Sequence, residues 1–379
     1  MSRSVVSRKP FVKSSSIPSN PMQKSVILFQ SAIRSDKTQK LYMKTLEKFR
    51  EYFLIKDYDS FVSIDSKKFQ EMIEDYVLYL RGRDLSYGSV HNAICSLKLF
   101  CSMNDIVCNW IKISKMKPER KKLRGDKPYT TEDLRIILKH VSKSPLWTSL
   151  IHFISSSGVR DGFSEELRIK DLGDMPNGCK SVKVYADSKD EYYTFITQEA
   201  VTALEEYFEY RRKKGEKLTP DSWVFTSASN PEKPMNTNLI SSWFTKIVNK
   251  TSVNRGECIN GRCDIPIVYG MRKRFDTILK SNSEINTSIA EKILGHSVSI
   301  PLDNHYFKPT LEVMFDEYQK AIPDLVIDQT MKLKLELEKK NKQLSSLEVK
   351  DKRIDQLENA LMRIELNQIE LKSRFTFQS

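Results

Sequence analysis

The sequence predicts a mainly α-helical protein with a small antiparallel β-sheet, built as a helical domain, a second α-rich domain and a long C-terminal helix. Three observations carry this expectation. Apolar side chains recur at three- and four-residue intervals along most of the 379 residues, which is the period of an amphipathic helix. One stretch, 181–197, alternates instead as a hairpin does, with Val182 and Val184 on one face of its first strand and Tyr193 and Phe195 sharing a face of its second. Between the two α-rich regions the composition turns abruptly to Lys, Arg and Pro, the mark of a linker.

Residues 1–24 hold Arg3, Arg8, Lys9 and Lys13 among Ser and Pro, a composition that buries little and reads as a disordered basic arm. No apolar core follows those charges, so the segment does not read as a secretory signal. Ser35 is placed to cap a helix carrying Tyr42, Leu46, Phe49 and Phe53. Ser66 is placed to cap another with Phe69, Ile73, Tyr76 and Leu80, and Ser86 a third with Val90, Ile94 and Leu97. With the segment around Trp110 and Ile111, these make residues 25–113 a bundle of four or five helices.

Residues 114–127 are expected to be a basic linker, because Pro118 and the following Pro128 discourage a continuous helix. Lys117, Arg120, Lys121, Lys122 and Arg124 suit either a solvated charge run or a strap across phosphates. The second domain, 128–324, opens on a capping box of Thr130 and Asp133 ahead of Leu134, Ile136, Ile137 and Leu138. Lys189 lies at the turn of the hairpin, and helical patterns resume at 198–212, 238–250, 270–280 and 287–294.

From 329 to 371 no Gly or Pro interrupts the chain, and Leu337, Leu344, Leu347, Ile354, Leu357, Leu361, Ile364 and Leu371 fall near heptad spacing. One long helix is expected there. Asp351 stands where a continuous heptad needs an apolar residue, and the step from Ile354 to Leu357 requires a three-residue register shift. A coiled coil between protomers is the favoured reading; the competing one is a helix folded back on its own domain.

The formal net charge of +13 favours an anionic partner, nucleic acid foremost. No apolar run approaches the roughly 20 residues a membrane helix requires, so a cytoplasmic protein is expected. Six scattered cysteines do not look like a disulfide framework, and reduced thiols fit that compartment. Cys258 and Cys263 are closely spaced, but no second Cys/His pair stands near enough to complete a zinc site. Neither a metal nor a cofactor is expected.

Four short motifs follow one another along the second domain: Ser157-Gly158-Val159-Arg160, Tyr269-Gly270-Met271-Arg272, Leu294-Gly295-His296, and Tyr306 ten residues beyond that histidine. The first continues into Leu167-Arg168-Ile169-Lys170-Asp171-Leu172. In this order they resemble the boxes of the tyrosine recombinase, or phage integrase, family, and the resemblance spans residues 25–322. The stretch Asn304 to Thr310 and the appended helix look like integrases of archaeal mobile elements more than bacterial Xer proteins. By this resemblance, 25–113 is a core-binding DNA-binding domain and 128–324 the tyrosine recombinase catalytic domain.

Breaking a phosphodiester without a metal needs a nucleophile, cations on the non-bridging oxygens, and a proton for the leaving 5′ oxygen. Arg160 and Arg272 suit the clamp, since a guanidinium stays charged and grips two oxygens at once. Lys189 suits the general acid, with Lys183 on the same hairpin as its rival. His296 reads as a transition-state donor and Tyr306 as the nucleophile, leaving a 3′-phosphotyrosyl bond whose retained energy lets resealing proceed without ATP.

The chain departs from the family at two places. Phe163 stands where an acidic residue is common, with Glu165 or Glu166 as the nearest substitutes, and Tyr269 stands where a histidine is usual. A tyrosine keeps a hydroxyl donor but does not exchange protons near neutral pH as imidazole does. The resemblance implies an active site-specific recombinase working on double-stranded DNA attachment sites as a homo-tetramer, integrating or excising a mobile element. The alternatives are an Xer-like chromosome-dimer resolvase, a DNA-binding protein on the same fold that has lost catalysis, and a type IB topoisomerase.

Overall fold

The computed structural model describes residues 23–120, 125–227, 230–259, 262–296 and 307–376. The chain divides into two compact units, Met1–Lys122 and Leu123–Ser379.

The described part of the N-terminal unit is helical throughout: α1 (Lys24–Ser31), α2 (Asp36–Tyr52), α3 (Asp59–Val62), α4 (Ser66–Gly82), α5 (Tyr87–Met103) and α6 (Trp110–Lys115). Ser35 and Ser86 cap α2 and α5, accepting from the backbone N–H of Thr38 and Ser89. At α4 the cap is Asp65, not Ser66, and its carboxylate accepts from the backbone N–H groups of Lys67 and Lys68. An anionic acceptor at a helix N-terminus also gains from the macrodipole, which explains why aspartate takes the cap and serine enters the helix. Phe49 sits at the centre of the core, its ring against Phe61, Phe69 and Tyr76 at centroid distances of 5.6, 5.7 and 5.1 Å. On α6, Ile113 is the buried residue while Ile111 is 75% exposed.

The C-terminal unit begins with α7 (Thr131–Val141), whose Thr130–Asp133 capping box is present in both directions, and α8 (Pro145–Ser157). A three-stranded antiparallel sheet follows, in the order β1 (Leu172–Asp174), β2 (Lys180–Val184) and β3 (Tyr192–Ile196). Val182 faces Thr194 and Val184 faces Tyr192 across β2 and β3. The sheet is buried on both sides: Val182, Val184, Tyr192 and Ile196 pack into the core of α7–α8, while Phe195 packs with Phe275, Phe315 and Tyr318 in a second core. This double burial explains why apolar residues nearly fill β3.

Next come α9 (Gln198–Lys213), a hairpin of β4 (Thr226–Ser227) and β5 (Asn230–Pro234), α10 (Thr237–Val248), a second hairpin of β6 (Cys258–Ile259) and β7 (Arg262–Cys263), α11 (Tyr269–Ser281) and α12 (Thr287–Ile293). α13 (Leu311–Leu325) and α14 (Gln329–Thr376) complete the chain. Cys258 and Cys263 are joined by a disulfide across the β6–β7 hairpin, which overturns the expectation of reduced thiols throughout. Antiparallel pairing sets these two residues directly opposite each other, with their Cα atoms 3.9 Å apart. Cys95, Cys101, Cys108 and Cys179 are free thiols.

Candidate active site

The end of α8 is fixed before any reactive group is placed. The Ser156 carbonyl accepts from the Tyr318 hydroxyl at 2.9 Å, and the Ser157 carbonyl accepts from the Thr194 hydroxyl at 2.7 Å. Gly158 then closes the helix with φ +60°, and a Cβ there would stand 2.2 Å from the Phe275 ring. Only glycine meets both demands. The chain leaves this cap in an extended conformation at Arg160.

Arg272 approaches from α11 and is buried. Its guanidinium donates to the Gly158 carbonyl and, at 2.7 Å, to the Leu294 carbonyl. Arg160 donates to the carbonyl of the next residue, Gly295. Two cations from distant segments thus converge on one turn at the end of α12. Gly295 has φ +62°, and a Cβ there would stand 2.5 Å from the Tyr192 ring. A guanidinium offers five N–H donors, so each arginine keeps donors beyond those spent on carbonyls.

His296 follows at once, its Nδ1 2.6 Å from the Glu291 carboxylate. An ionised carboxylate only accepts, so Nδ1 carries the proton and Nε2 is left for a ligand. Glu291 is also paired with Lys280 at 2.6 Å, and Lys280 with Asp276 at 2.8 Å. Burial would raise the Glu291 pKa, but Lys280 and His296 outweigh it and hold the carboxyl below its usual range.

Arg160 and His296 line a cleft of about 1310 Å³ together with Lys189, Tyr185, Tyr192 and Lys292. Lys189 lies on the β2–β3 turn. Its rival Lys183 is held by Glu191 at 3.2 Å and Asp187 at 3.7 Å, whereas Lys189 has no ion pair among the described residues. The Tyr192 ring lies 5.4 Å from the Arg160 guanidinium. Burial raises the Tyr192 pKa, with Arg272 and Arg160 opposing. Burial likewise pushes Tyr185 up to about 12. Both phenols are therefore neutral donors at neutral pH.

The remaining sequence candidates are placed as follows. Tyr269 is 44% exposed in the first turn of α11, outside the residues that line the cleft. Phe163 is a core residue stacked on Phe153 at 5.3 Å. Glu165 accepts from the Thr237 backbone N–H and hydroxyl at the start of α10, while Glu166 lines the cleft. Tyr318, a tyrosine downstream of Tyr306 that sequence reasoning does not propose as the nucleophile, is fully buried in α13, its hydroxyl spent on Ser156. Tyr306, Lys121, Lys122 and Arg124 lie outside the described residues. Arg120 is exposed, and Lys117 reaches 3.4 Å from the His91 ring nitrogen and lies over the Tyr87 ring. Sequence reasoning missed Tyr192, Glu291, Lys292 and Lys308, all but Glu291 being residues that line the cleft. The one available signal was Glu291 itself, the acidic residue of a helix that ends just before His296.

The sequence profile of the phage integrase family matches residues 129–311. No curated protein matches the chain. Among solved structures, the Tn1549 transposon integrase in complex with transposon right end DNA is similar at 16% identity and a TM-score of 0.51, over 79% of this chain and 99% of that one. A lambda integrase dimer bound to a COC′ core site is similar at 15% identity and a TM-score of 0.50, over 75% of this chain and 94% of that one. At such identities these two likenesses speak for the fold. It is the profile match, over the same residues that hold Arg160, Arg272 and His296, that makes residues 129–311 a phage integrase family domain.

Proposed function

We propose that the chain binds duplex DNA at attachment sites and cuts and rejoins its strands through Tyr306, as the integrase of a mobile element. The observation that carries this reading is the convergence of Arg160, Arg272 and the Glu291-held His296 on the single turn Leu294–His296. Two guanidiniums, with an imidazole that donates from Nε2 when both its nitrogens are protonated, suit the non-bridging oxygens of one phosphate, whose charge grows in the transition state. Lys189, on the turn that lines the cleft, gives its proton to the 5′ oxygen as the P–O bond breaks, while Tyr306 forms the new bond to phosphorus and its phenol proton passes to water. Tyr269 adds at most a hydroxyl donor. The basic residues Lys117, Arg120, Lys121, Lys122 and Arg124 hold phosphates without reading sequence. Assembly as a homo-tetramer on two DNA sites, in the cytoplasm, belongs to the same reading.

A nicked duplex drawn from its own attachment site tests the proposal, because loss of the short fragment past the nick traps the covalent intermediate. Wild type should become attached to the 3′ side of the break, and Tyr306→Phe should bind the duplex without attaching. A wild-type protein that binds but never attaches would overturn the catalytic reading and leave the DNA-binding protein that Phe163 and Tyr269 suggest.

A further inference from the structure

α14 leaves the C-terminal unit within its first two turns. Met331 and Leu335 pack against the core that contains Phe315 and Tyr318, whereas Leu333, Leu337, Leu344, Leu347 and Ile354 each remain more than half exposed. The helix therefore carries two apolar faces, one used on its own unit and one uncovered. A stripe of leucines three and four residues apart is the seam of a coiled coil. Monomeric proteins rarely leave so long an apolar surface in water.

Two seam positions are charged, Lys340 and Asp351, and both are exposed. Their placement is not random. Leu344 and Leu347, Lys340 and Asp351, and Leu337 and Ile354 lie as pairs at equal distances from the peptide bond between Ser345 and Ser346. A two-fold axis through that bond sets every member opposite its mate on an antiparallel helix. Lys340 then meets Asp351 of a second copy, twice, and leucine meets leucine or isoleucine elsewhere. A parallel, in-register pair would instead set aspartate on aspartate and lysine on lysine inside an apolar seam, where unpaired charge is costly.

We infer that α14 is a dimerisation element, an antiparallel coiled coil with a second copy of this chain, centred on the Ser345–Ser346 peptide and fixed in direction and register by two Lys340–Asp351 pairs. Such an interface is isologous and closed. At 1.5 Å per residue it holds the two helix roots roughly 50 Å apart. The register change between Ile354 and Leu357 falls where the helix passes the level of Leu337 of the second copy. From there Leu357, Leu361 and Ile364 run toward the root of that copy's α14 and the catalytic unit it springs from. The pairing needs neither DNA nor an intact active site, so it stands apart from the recombinase reading.

The test uses the full-length chain without DNA and its mass by sedimentation equilibrium. Wild type should dimerise reversibly. Lys340→Asp and Asp351→Lys should each raise the dimer dissociation constant by about a hundredfold or more, since each leaves two buried like-charge pairs. The double variant Lys340→Asp/Asp351→Lys should return to within about threefold of wild type, because coupled sites compensate. A wild-type monomer at all concentrations, single variants that dimerise normally, or a double variant no better than the singles would each overturn the inference. So would a dimer that survives removal of residues 329–379.

Discussion

At His296 a single carboxylate does the orienting. Glu291 sits in the last turns of α12, accepts a hydrogen bond from the Nδ1–H of the imidazole, and is itself charged and held by Lys280. Glu291→Gln keeps the shape of the side chain and removes the charge that fixes the ring. Single-turnover cleavage should slow by about ten- to a hundredfold, short of the roughly hundred- to ten-thousandfold that loss of a positioned proton donor itself would cost, with DNA affinity unchanged; equal losses in both would mean a folding defect. The folded-state pKa of Glu291 is depressed, so its contribution is complete above the ordinary carboxyl pKa and is lost as pH falls through the lower folded value. The rate in wild type should therefore lose this support only on the acid side. Gly158→Ala is a harsher change. It combines a left-handed backbone with a Cβ 2.2 Å from the Phe275 ring, and should lower unfolding free energy by about 2 kcal/mol or more, read from denaturant midpoints. The glycine of Ser-Ser-Gly-Val-Arg was legible in the sequence as part of a box; its packing reason, a phenyl ring over a hundred residues away, was not.

Elements with local causes were the legible ones. The capping box of α7, the serine caps of α2 and α5, and the β2–β3 hairpin all rest on neighbours in sequence, and they stand where the sequence puts them. β1 and the two hairpins β4–β5 and β6–β7 have strands of two to five residues, too short to show a period, and they exist only through their pairing partners. The joint between α13 and α14 is illegible for the same reason. Its backbone is sewn down by side chains from three other helices: Glu199 accepts from the N–H groups of Ile327 and Asp328 at 2.9 and 2.7 Å, Arg274 donates to the Asp324 carbonyl at 2.7 Å, and Arg135 donates to the Ile327 carbonyl at 2.8 Å. Burial would raise the Glu199 pKa, but His152 and the two backbone donors bring it below the usual range. Glu199 therefore stabilises the joint at neutral pH and loses that effect as pH falls through its depressed folded-state value. Glu199→Ala should cost about 2 kcal/mol at pH 7, the range for hydrogen bonds to a charged group, and the gap to wild type should close in acid. A gap that stays constant with pH would show that packing, not charge, holds the joint.

For the whole molecule the relevant quantity is charge. A net +13 over 379 residues makes attraction to any polyanion cheap and uninformative, so the question is which cations touch phosphate. Lys292 and Lys308 line the same cleft as Arg160 and His296, and neither has a carboxylate partner among the described residues. Many other cations are already spent: Lys112 on Glu74, Lys127 on Asp264, Lys170 on Asp221. A phosphate that enters the cleft releases the counterions condensed on it, and each protein cation that replaces one adds about 0.9 to the slope of log affinity against log salt on duplex DNA. Wild-type affinity should accordingly fall steeply between low and physiological salt. Lys292→Ala with Lys308→Ala should flatten the slope by about 2, and Lys170→Ala, whose charge is already answered by Asp221, should leave it where it was. The measurement is a titration of labelled duplex at several salt concentrations. Equal slopes for wild type and the double variant would place the DNA away from this wall of the cleft, and the candidate active site would then have to bind its phosphate from the side of Arg160 and Lys189 alone.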